Sequence, residues 1–149
     1  MDPEPRTAIL AAGFQETTQA HVFPQGWDEH VARFGPSSIA APTELLRRLV
    51  SNTEVHLDHS LVAFTYGGTH GLTEADRDLL WHAFGVPVFE QYLGPNNELL
   101  ASECDAHAGL HVLLGCEHLA LEREVCGCGS RAPRIARGAR IEELVALLA

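Results

Sequence analysis

The apolar and polar positions in the middle of the chain follow the pattern of a strand, a helix and a second strand. Residues 61–66, LVAFTY, form an apolar run between charged residues and a glycine pair, which is typical of a buried strand. Thr73 suits the N-cap of a helix, with Asp76 three residues later as in a capping box, and Gly85 suits its C-terminal end. The core face of this helix is predicted to contain Leu79, Leu80, Ala83 and Phe84. Residues 86–92, VPVFEQY, predict the second strand, so the unit favours two parallel strands joined by a right-handed crossover.

The segment before this unit predicts a short strand and two short helices. An apolar stretch at residues 8–10 predicts the strand. The first helix carries Trp27, Val31 and Phe34 on one face and ends at Gly35. Pro42 opens the second helix, because its fixed φ angle suits the first helical turn. The buried side of the second helix is predicted to contain Leu45, Leu46, Leu49 and Val50, and the aromatic residues Trp27, Trp81 and Phe84 are predicted to belong to the core.

The last third of the chain has a different character. GPNN after Leu93 indicates a loop, residues 110–114 indicate a strand, and residues 141–149 carry a helical apolar stripe. The sequence therefore predicts an α/β fold with a small, partly parallel sheet, flanking helices and a zinc-clasped irregular C-terminal part. We expect one domain over residues 1–149, with an α/β subdomain at about 6–100, a zinc-binding part at 101–138 and a terminal helix at 139–149.

The composition and net charge limit the classes of partner that the chain is expected to bind. With 149 residues, 46% of them hydrophobic and 20% charged, the chain matches a folded globular domain. Its net charge of −10 disfavours binding to nucleic acid or to an anionic membrane. The sequence shows neither a basic, apolar signal peptide nor an apolar run long enough to span a membrane. We therefore expect a cytoplasmic protein with reduced cysteines.

The four cysteines carry the strongest chemical signal. In Cys126-Gly127-Cys128-Gly129, the glycines permit a tight turn that lets both thiolates reach one ion. Zinc favours four ligands in a tetrahedron, drawn from thiolate and imidazole, and Cys104 is a natural third ligand. The spacing leaves the fourth open among His107, His111, Cys116 and His118. Four such ligands would form a closed, structural site.

Several stretches resemble the adenylate-forming acyl-CoA ligases, in particular the phenylacetate–CoA ligase branch. Residues 67–92, GGTHGLTEADRDLLWHAFGVPVFEQY, resemble the segment in which a glycine pair ends a strand and "FG.PV...YG" leads into the acceptor loop. GPSSIAAPTELLRRLV, ASECDAHAGLHV and CGCGSRAPRI resemble three further family motifs in the same order, so the likeness covers about residues 35–138. Some members of this branch hold a structural zinc, and the resemblance implies that the ligands here are Cys104, His111, Cys126 and Cys128.

The chain also departs from that family in the residues that handle ATP. A Ser/Thr/Gly-rich phosphate loop is not present, and the "YG.SE" nucleotide motif becomes YLGPNNE, with Glu98 two places late. The stretch between Val112 and Cys126 is too short for the ribose-binding "TGD" region. All ten basic residues are arginine, so the catalytic lysine of the family is missing. We expect a stand-alone zinc protein, derived from a ligase core, that does not activate a substrate with ATP.

The glycine pair suggests where a ligand binds. Gly67, Gly68 and Thr69 follow the predicted strand, and strand ends in α/β proteins commonly line ligand sites. Together with Tyr92 they are predicted to bind a small acyl or aromatic molecule, or a protein partner, and His70 is a candidate catalytic residue beside them. The alternative is a simple turn into the helix.

Two other functions remain open at this point. In a zinc-dependent enzyme acting on a carbonyl or acyl compound, Glu103 is a candidate general base on a zinc-bound water, with His107 and His111 nearby. The favoured alternative is that Glu103 only supports a metal ligand or lies at the surface. His56 and Asp58 form a further candidate metal pair, with a solvated loop as the alternative. The chain could also be a subunit of a split acyl-CoA ligase. Exposed sheet edges would favour a homodimer.

The zinc prediction is tested by elemental analysis of the wild-type protein and of Cys126→Ser. We expect about one zinc per wild-type chain, and loss of both metal and folded structure in the variant, because binding energy at a closed site is also folding energy. Loss of zinc without unfolding would instead favour a catalytic metal. A wild-type protein without metal would contradict the prediction.

Overall fold

The computed structural model describes residues 6–66, 71–104, 110–112, 127–128 and 134–135. Three helices lie in these ranges: α1 (Glu29–Phe34), α2 (Thr43–Leu49) and α3 (Glu74–Phe84). The strands of the described ranges are β1 (Thr7–Ile9), β2 (Ala20–Val22), β3 (Ser38–Pro42), β4 (Ser60–Tyr66), β5 (Val88–Leu93), β6 (Leu99–Glu103), β7 (Leu110–Val112) and β8 (Arg134–Ile135). The predicted terminal helix lies outside the described residues.

The described strands join in one hydrogen-bonded order, β2-β1-β3-β4-β5-β6-β7-β8. β1 pairs in parallel with β2 and with β3, whereas β5 and β6, β6 and β7, and β7 and β8 pair antiparallel. This mixture confirms the predicted α/β class with a partly parallel sheet. The strands β4 and β5, predicted to flank a crossover helix, are indeed neighbours in the sheet.

The contacts within the chain group it into two compact units. One unit contains Met1–Ala63 and Glu74–Val88, and the other contains Phe64–Thr73 and Phe89–Ala149. The single domain with internal boundaries near residues 100 and 138 stays a prediction. Among the described residues, no helix is long and apolar enough to cross a membrane, since the longest, α3, has 11 residues.

Helix α1 begins and ends where its local sequence indicates. The Asp28 carboxylate accepts hydrogen bonds from the backbone N–H groups of His30 and Val31, at 2.8 and 3.2 Å. Desolvation raises the pKa of Asp28, but these two N–H groups and the nearby His30 outweigh it and hold the pKa below its ordinary value. Gly35 ends the helix with φ of 64°, a left-handed conformation that glycine adopts without a steric cost.

Strand β3 is an element that the apolar pattern did not reveal. Its residues, SIAAP, are short and include two alanines, which have a weak intrinsic preference for strands. Four of the five are nevertheless buried, because β3 lies inside the sheet between β1 and β4. Pro42 ends this strand and immediately precedes α2, in agreement with the predicted helix start.

Helix α3 forms as predicted, but its predicted core face is wrong in part. Leu80 is fully buried, whereas Leu79 is 44% exposed and Trp81, assigned to the core from the sequence, is 54% exposed. The other buried residue of the helix is Asp76. Its carboxylate accepts two hydrogen bonds of 2.7 Å from the Arg47 guanidinium on α2, so a polar pair occupies part of the inward face. Gly85 ends α3 in a left-handed conformation, as predicted.

The pair between Arg47 and Asp76 is expected to contribute measurably to stability. The hydrogen bond with Asp76 raises the pKa of Arg47, and the two-pronged geometry is the strong form of this interaction. We expect Arg47→Gln to lower the free energy of unfolding by about 1.5 kcal/mol, at the low end for a charged hydrogen bond, because the Arg47 side chain is 37% exposed. Urea unfolding monitored by circular dichroism measures this change.

The matched control for that substitution is Arg33→Gln. Arg33 pairs with Glu29 on the surface of α1, with exposed fractions of 73% and 87%. Removing such a pair should cost less than about 0.5 kcal/mol. Equal losses in the two variants would contradict a special role for the pair between α2 and α3.

Candidate functional site

The predicted ligand segment begins where β4 ends. Residues 67–70, which include Gly67, Gly68, Thr69 and the candidate His70, lie outside the described residues. The structure does describe the residues on both sides, Thr65 and Tyr66 at the end of β4 and Leu72 before α3. Thr65 and Leu72 are buried, with exposed fractions of 1% and 7%. The two ends of the segment are therefore held inside the protein.

A buried carboxylate connects these two ends. Glu90 on β5 is 5% exposed, and its Oε2 atom accepts a hydrogen bond of 2.8 Å from Thr65 Oγ1. The same oxygen accepts a hydrogen bond of 2.7 Å from the backbone N–H of Leu72. Glu90 was not among the residues predicted to form a site. The available signal was a lone acidic residue within the apolar strand VPVFEQY, because a buried carboxylate requires hydrogen-bond donors.

Glu103, the candidate general base, lies next to Glu90. It ends β6, is 6% exposed, and its Oε1 atom accepts a hydrogen bond of 2.9 Å from the backbone N–H of Glu90. The neighbouring residues Gln91 and Ser102 form an antiparallel pair in the same two strands. The Glu103 carboxylate therefore extends the β5–β6 pairing by one contact. Glu103 is therefore buried in the sheet and not at the surface, and its predicted role beside a zinc ion stays a prediction.

Tyr92, the fourth predicted ligand-binding residue, is 1% exposed and lies opposite Ala101 in β6. After it, a tight turn leads from β5 to β6. Within this turn the N–H of Gly94 donates to the carbonyl of Glu98 at 2.9 Å, and the Glu98 carboxylate accepts from the N–H of Asn96 at 2.9 Å. A Cβ atom at Gly94 would lie 2.5 Å from the Glu98 side chain, so glycine permits this close approach. Glu98, the displaced acidic residue of the nucleotide-like motif, thus accepts a hydrogen bond from within its own turn.

The zinc candidates that the structure describes include Cys104, just after β6, and His111 in β7. Cys104 directly follows β6, and the strand register places His111 opposite Ser102, two residues from Cys104. Cys128 is exposed in a turn, and neither it nor Cys104 forms a disulfide. Cys126 and the alternative ligands His107, Cys116 and His118 lie outside the described residues. Thiolate and imidazole are donors that suit zinc.

The hairpin register brings two of the four predicted ligand positions near each other, but it does not assemble a complete site. Among the residues that the structure describes, no group of three histidine, cysteine, aspartate or glutamate residues could hold a metal ion. Zinc binding therefore stays a prediction that depends on the undescribed positions.

A second polar cluster lies at the starts of β3 and β4. Ser38 and Ser60, both buried, place their hydroxyl oxygens 3.0 Å apart, and His59 Nδ1 lies 3.1 Å from each hydroxyl. Nearby in the chain, a cavity of about 320 Å³ is lined by Gly35, Pro36, Ser37, His56, Leu57 and Asp58. His56 and Asp58, the candidate second metal pair, therefore border one cavity. The serine–histidine cluster was not predicted, because it depends on two strands being adjacent.

Comparison with known proteins supports the ligase likeness at the level of the fold. No protein-family model and no curated protein matches this sequence. A solved structure of 2-hydroxyisobutyryl-CoA ligase, in an open conformation with 2-HIB-AMP and CoA, is similar, with a TM-score of 0.60 and 11% sequence identity. The match covers 91% of this chain and 44% of that chain. The chain has the fold of part of an acyl-CoA ligase. It spans less than half the length of that enzyme.

Tyr66 provides a titration test of the environment beside the predicted ligand segment. Burial raises the pKa of its phenol above the ordinary value of 10.0. Because the folded-state pKa is raised, the stability linked to Tyr66 is complete below the unfolded-state pKa and is lost as the pH rises through the folded-state pKa. We expect an absorbance change near 295 nm, missing in Tyr66→Phe, with a midpoint above pH 10. A midpoint at or below pH 10 would show that the phenol is not desolvated.

Proposed function

We propose that this chain is a zinc-binding protein built on the core of an adenylate-forming ligase, and that it binds a small acyl or aromatic molecule. Residues 67–69 and Tyr92 form the ligand side of the protein. Zinc is held by Cys104, His111, Cys126 and Cys128 and has a structural role. The 149 residues alone do not adenylate a substrate.

The observation that carries the ligand proposal is that β4, after which residues 67–70 follow in the sequence, belongs to a ligase-like fold. The segment follows β4, next to β5 in the sheet, and the similar solved enzyme is a ligase in complex with an acyl-adenylate and CoA. Ligands of α/β sheets commonly bind at strand ends. The buried contacts of Thr65 and Leu72 support the proposal further, because they order the residues that flank the segment before a ligand binds, which lowers the entropy lost on binding.

The zinc part of the proposal rests on ligand chemistry and on the hairpin register. Cys104 directly follows β6, and His111 in β7 pairs with Ser102 of β6. Both lie within the segment that resembles the zinc motif of the phenylacetate–CoA ligase branch. Zinc bound by three thiolates and one imidazole would join this hairpin to the turn at Cys128. Such a site supplies folding energy and leaves no open position for catalysis.

The absence of adenylation is supported by the residues that would have to neutralise charge. Adenylation develops negative charge that cationic or metal-bound groups must stabilise. The chain contains no lysine. Glu98, the displaced acidic residue of the nucleotide-like motif, bonds to the N–H of Asn96 inside its own turn.

Ligand binding is tested by calorimetric titration of the zinc-loaded protein with phenylacetate and with octanoate. We expect saturable binding of at least one compound, weakened roughly tenfold, or about 1.4 kcal/mol, in Gly68→Val, because the substitution adds bulk to the segment proposed to bind the ligand. Ala83→Val adds similar bulk at an exposed position of α3 and should leave the affinity unchanged. Equal weakening in both variants would argue against this location.

The same protein should show no ATP–pyrophosphate exchange with either acid. Robust exchange by the wild-type chain would contradict the proposal. Failure of both acids to bind, together with co-purification of a defined protein, would favour a protein partner in place of a small ligand.

A further inference from the structure

We infer that the cavity lined by residues 35–37 and 56–58 binds a small organic cation, a primary ammonium group on a short apolar body. These residues come just before β3 and β4 and belong to one compact unit. The inference goes beyond the proposed function, because the residues proposed there to bind an acyl or aromatic molecule follow β4 in the sequence or lie in β5.

The charge of the cavity walls favours a cation. Asp58 lines the cavity, and the described residues that line it with Asp58 include no arginine. Within the part of the chain that the structure describes, no cationic side chain lies within ion-pair distance of Asp58. The whole chain carries a net charge of −10. A carboxylate or phosphate ligand is therefore repelled here, whereas an ammonium ion is attracted.

The size of the cavity favours an organic cation over a metal ion. Its volume of about 320 Å³ is at the lower end of the range of small-molecule sites. His56 and Asp58 alone would leave most of a metal's coordination to water, and the described residues contain no group of three histidine, cysteine, aspartate or glutamate residues that could hold a metal ion. Pro36 and Leu57 add apolar surface to the walls, which suits the carbon body of an amine.

Backbone hydrogen bonds fix one wall of the cavity. The Ser37 N–H donates to the carbonyl of Arg6 at 2.9 Å, and the Ser37 hydroxyl accepts the N–H of Arg6 at 2.8 Å. The Ser37 carbonyl accepts the N–H of His59 at 3.0 Å. This last bond joins the segment before β3 to the segment before β4, so the two groups of lining residues are held next to each other.

The serine–histidine cluster holds the same two segments together. Ser38 follows one group of lining residues, and His59 and Ser60 follow the other. The three side chains contact one another at 3.0 to 3.1 Å, and both serines are buried. The cavity walls are therefore in place before a ligand arrives, which lowers the entropy lost on binding.

The test uses 2-phenylethylamine as the cation. Its matched control is 2-phenylethanol, which has a neutral hydroxyl in place of the ammonium group. Both are titrated into the wild-type protein at neutral pH while NMR follows the backbone amides of Ser37, Leu57 and Asp58. We expect saturable shifts with the amine, with a Kd of about 1 mM, and about threefold weaker binding of the alcohol. Equal binding of the two compounds, or shifts confined to other residues, would overturn the inference.

Asp58→Asn removes the charge at an exposed position and keeps the shape of the side chain. We expect the affinity for the amine to fall about threefold, the size of an exposed ion pair. Asp78→Asn is the matched control, because Asp78 is exposed on α3 in the same unit and does not line the cavity. Its affinity should equal that of the wild type. Equal weakening in both variants would show a response to net charge alone and would contradict this site.

The competing ligand is a divalent metal at His56 and Asp58. Mn²⁺ added to the wild-type protein detects it, because the ion broadens the NMR signals of nearby amides. We expect no more broadening at Leu57 and Asp58 than at the exposed Asp78. Selective broadening at the cavity that 2-phenylethylamine fails to displace would overturn the inference in favour of a metal.

Discussion

A carboxylate inside a protein must be surrounded by hydrogen-bond donors, because the water that would otherwise solvate it is gone. Glu90 meets this requirement with donors from two parts of the chain that are distant in sequence from it, Thr65 and Leu72. The end of β4, the residues before α3 and strand β5 therefore share one point of attachment. Glu103 on β6 adds a contact from the other side. The described residues on both sides of the 67–70 segment are thus bonded to one buried carboxylate.

The boundaries of the helices were the most predictable part of the fold, because they depend on neighbouring residues. Asp28 caps α1 through N–H groups two and three residues away, and Gly35 and Gly85 supply the left-handed conformations that end α1 and α3. The apolar run of β4 was equally clear. Strand β3 was not, because its short SIAAP segment becomes a strand through its position between two others.

The inward face of α3 shows why periodicity alone was insufficient. A polar residue at the inward position, Asp76, has its partner Arg47 at a distance of 29 residues in the sequence. No window of helical length contains both residues, so the pattern assigned the inward face to apolar residues and Trp81 to the core. Polar pairs between helices can be found only when the packing of the two helices is known.

The candidate site could be predicted only as far as the types of its side chains and their spacing indicate its chemistry. The spacing of cysteines and histidines indicated zinc without identifying the fourth ligand, and the ligase resemblance selected His111. The β6–β7 register then pairs His111 with Ser102, which lies two residues before Cys104, and such pairing is information that no spacing rule contains. Glu90 was missed for the same reason, since its role arises from contacts across 18 and 25 residues.

The length of the edge strand β2 affects whether two copies of the folded protein can pair through their sheets. Among the described strands it forms one end of the sheet, yet it has three residues, Ala20, His21 and Val22. The backbone of Val22 is further occupied on its N–H by the carboxylate of Glu16. Such a short edge strand can form only a few backbone hydrogen bonds with an incoming strand. Amyloid-like growth needs a longer template. At this edge, where β1 and β2 pair in parallel, the shortness of β2 therefore disfavours pairing with a further strand.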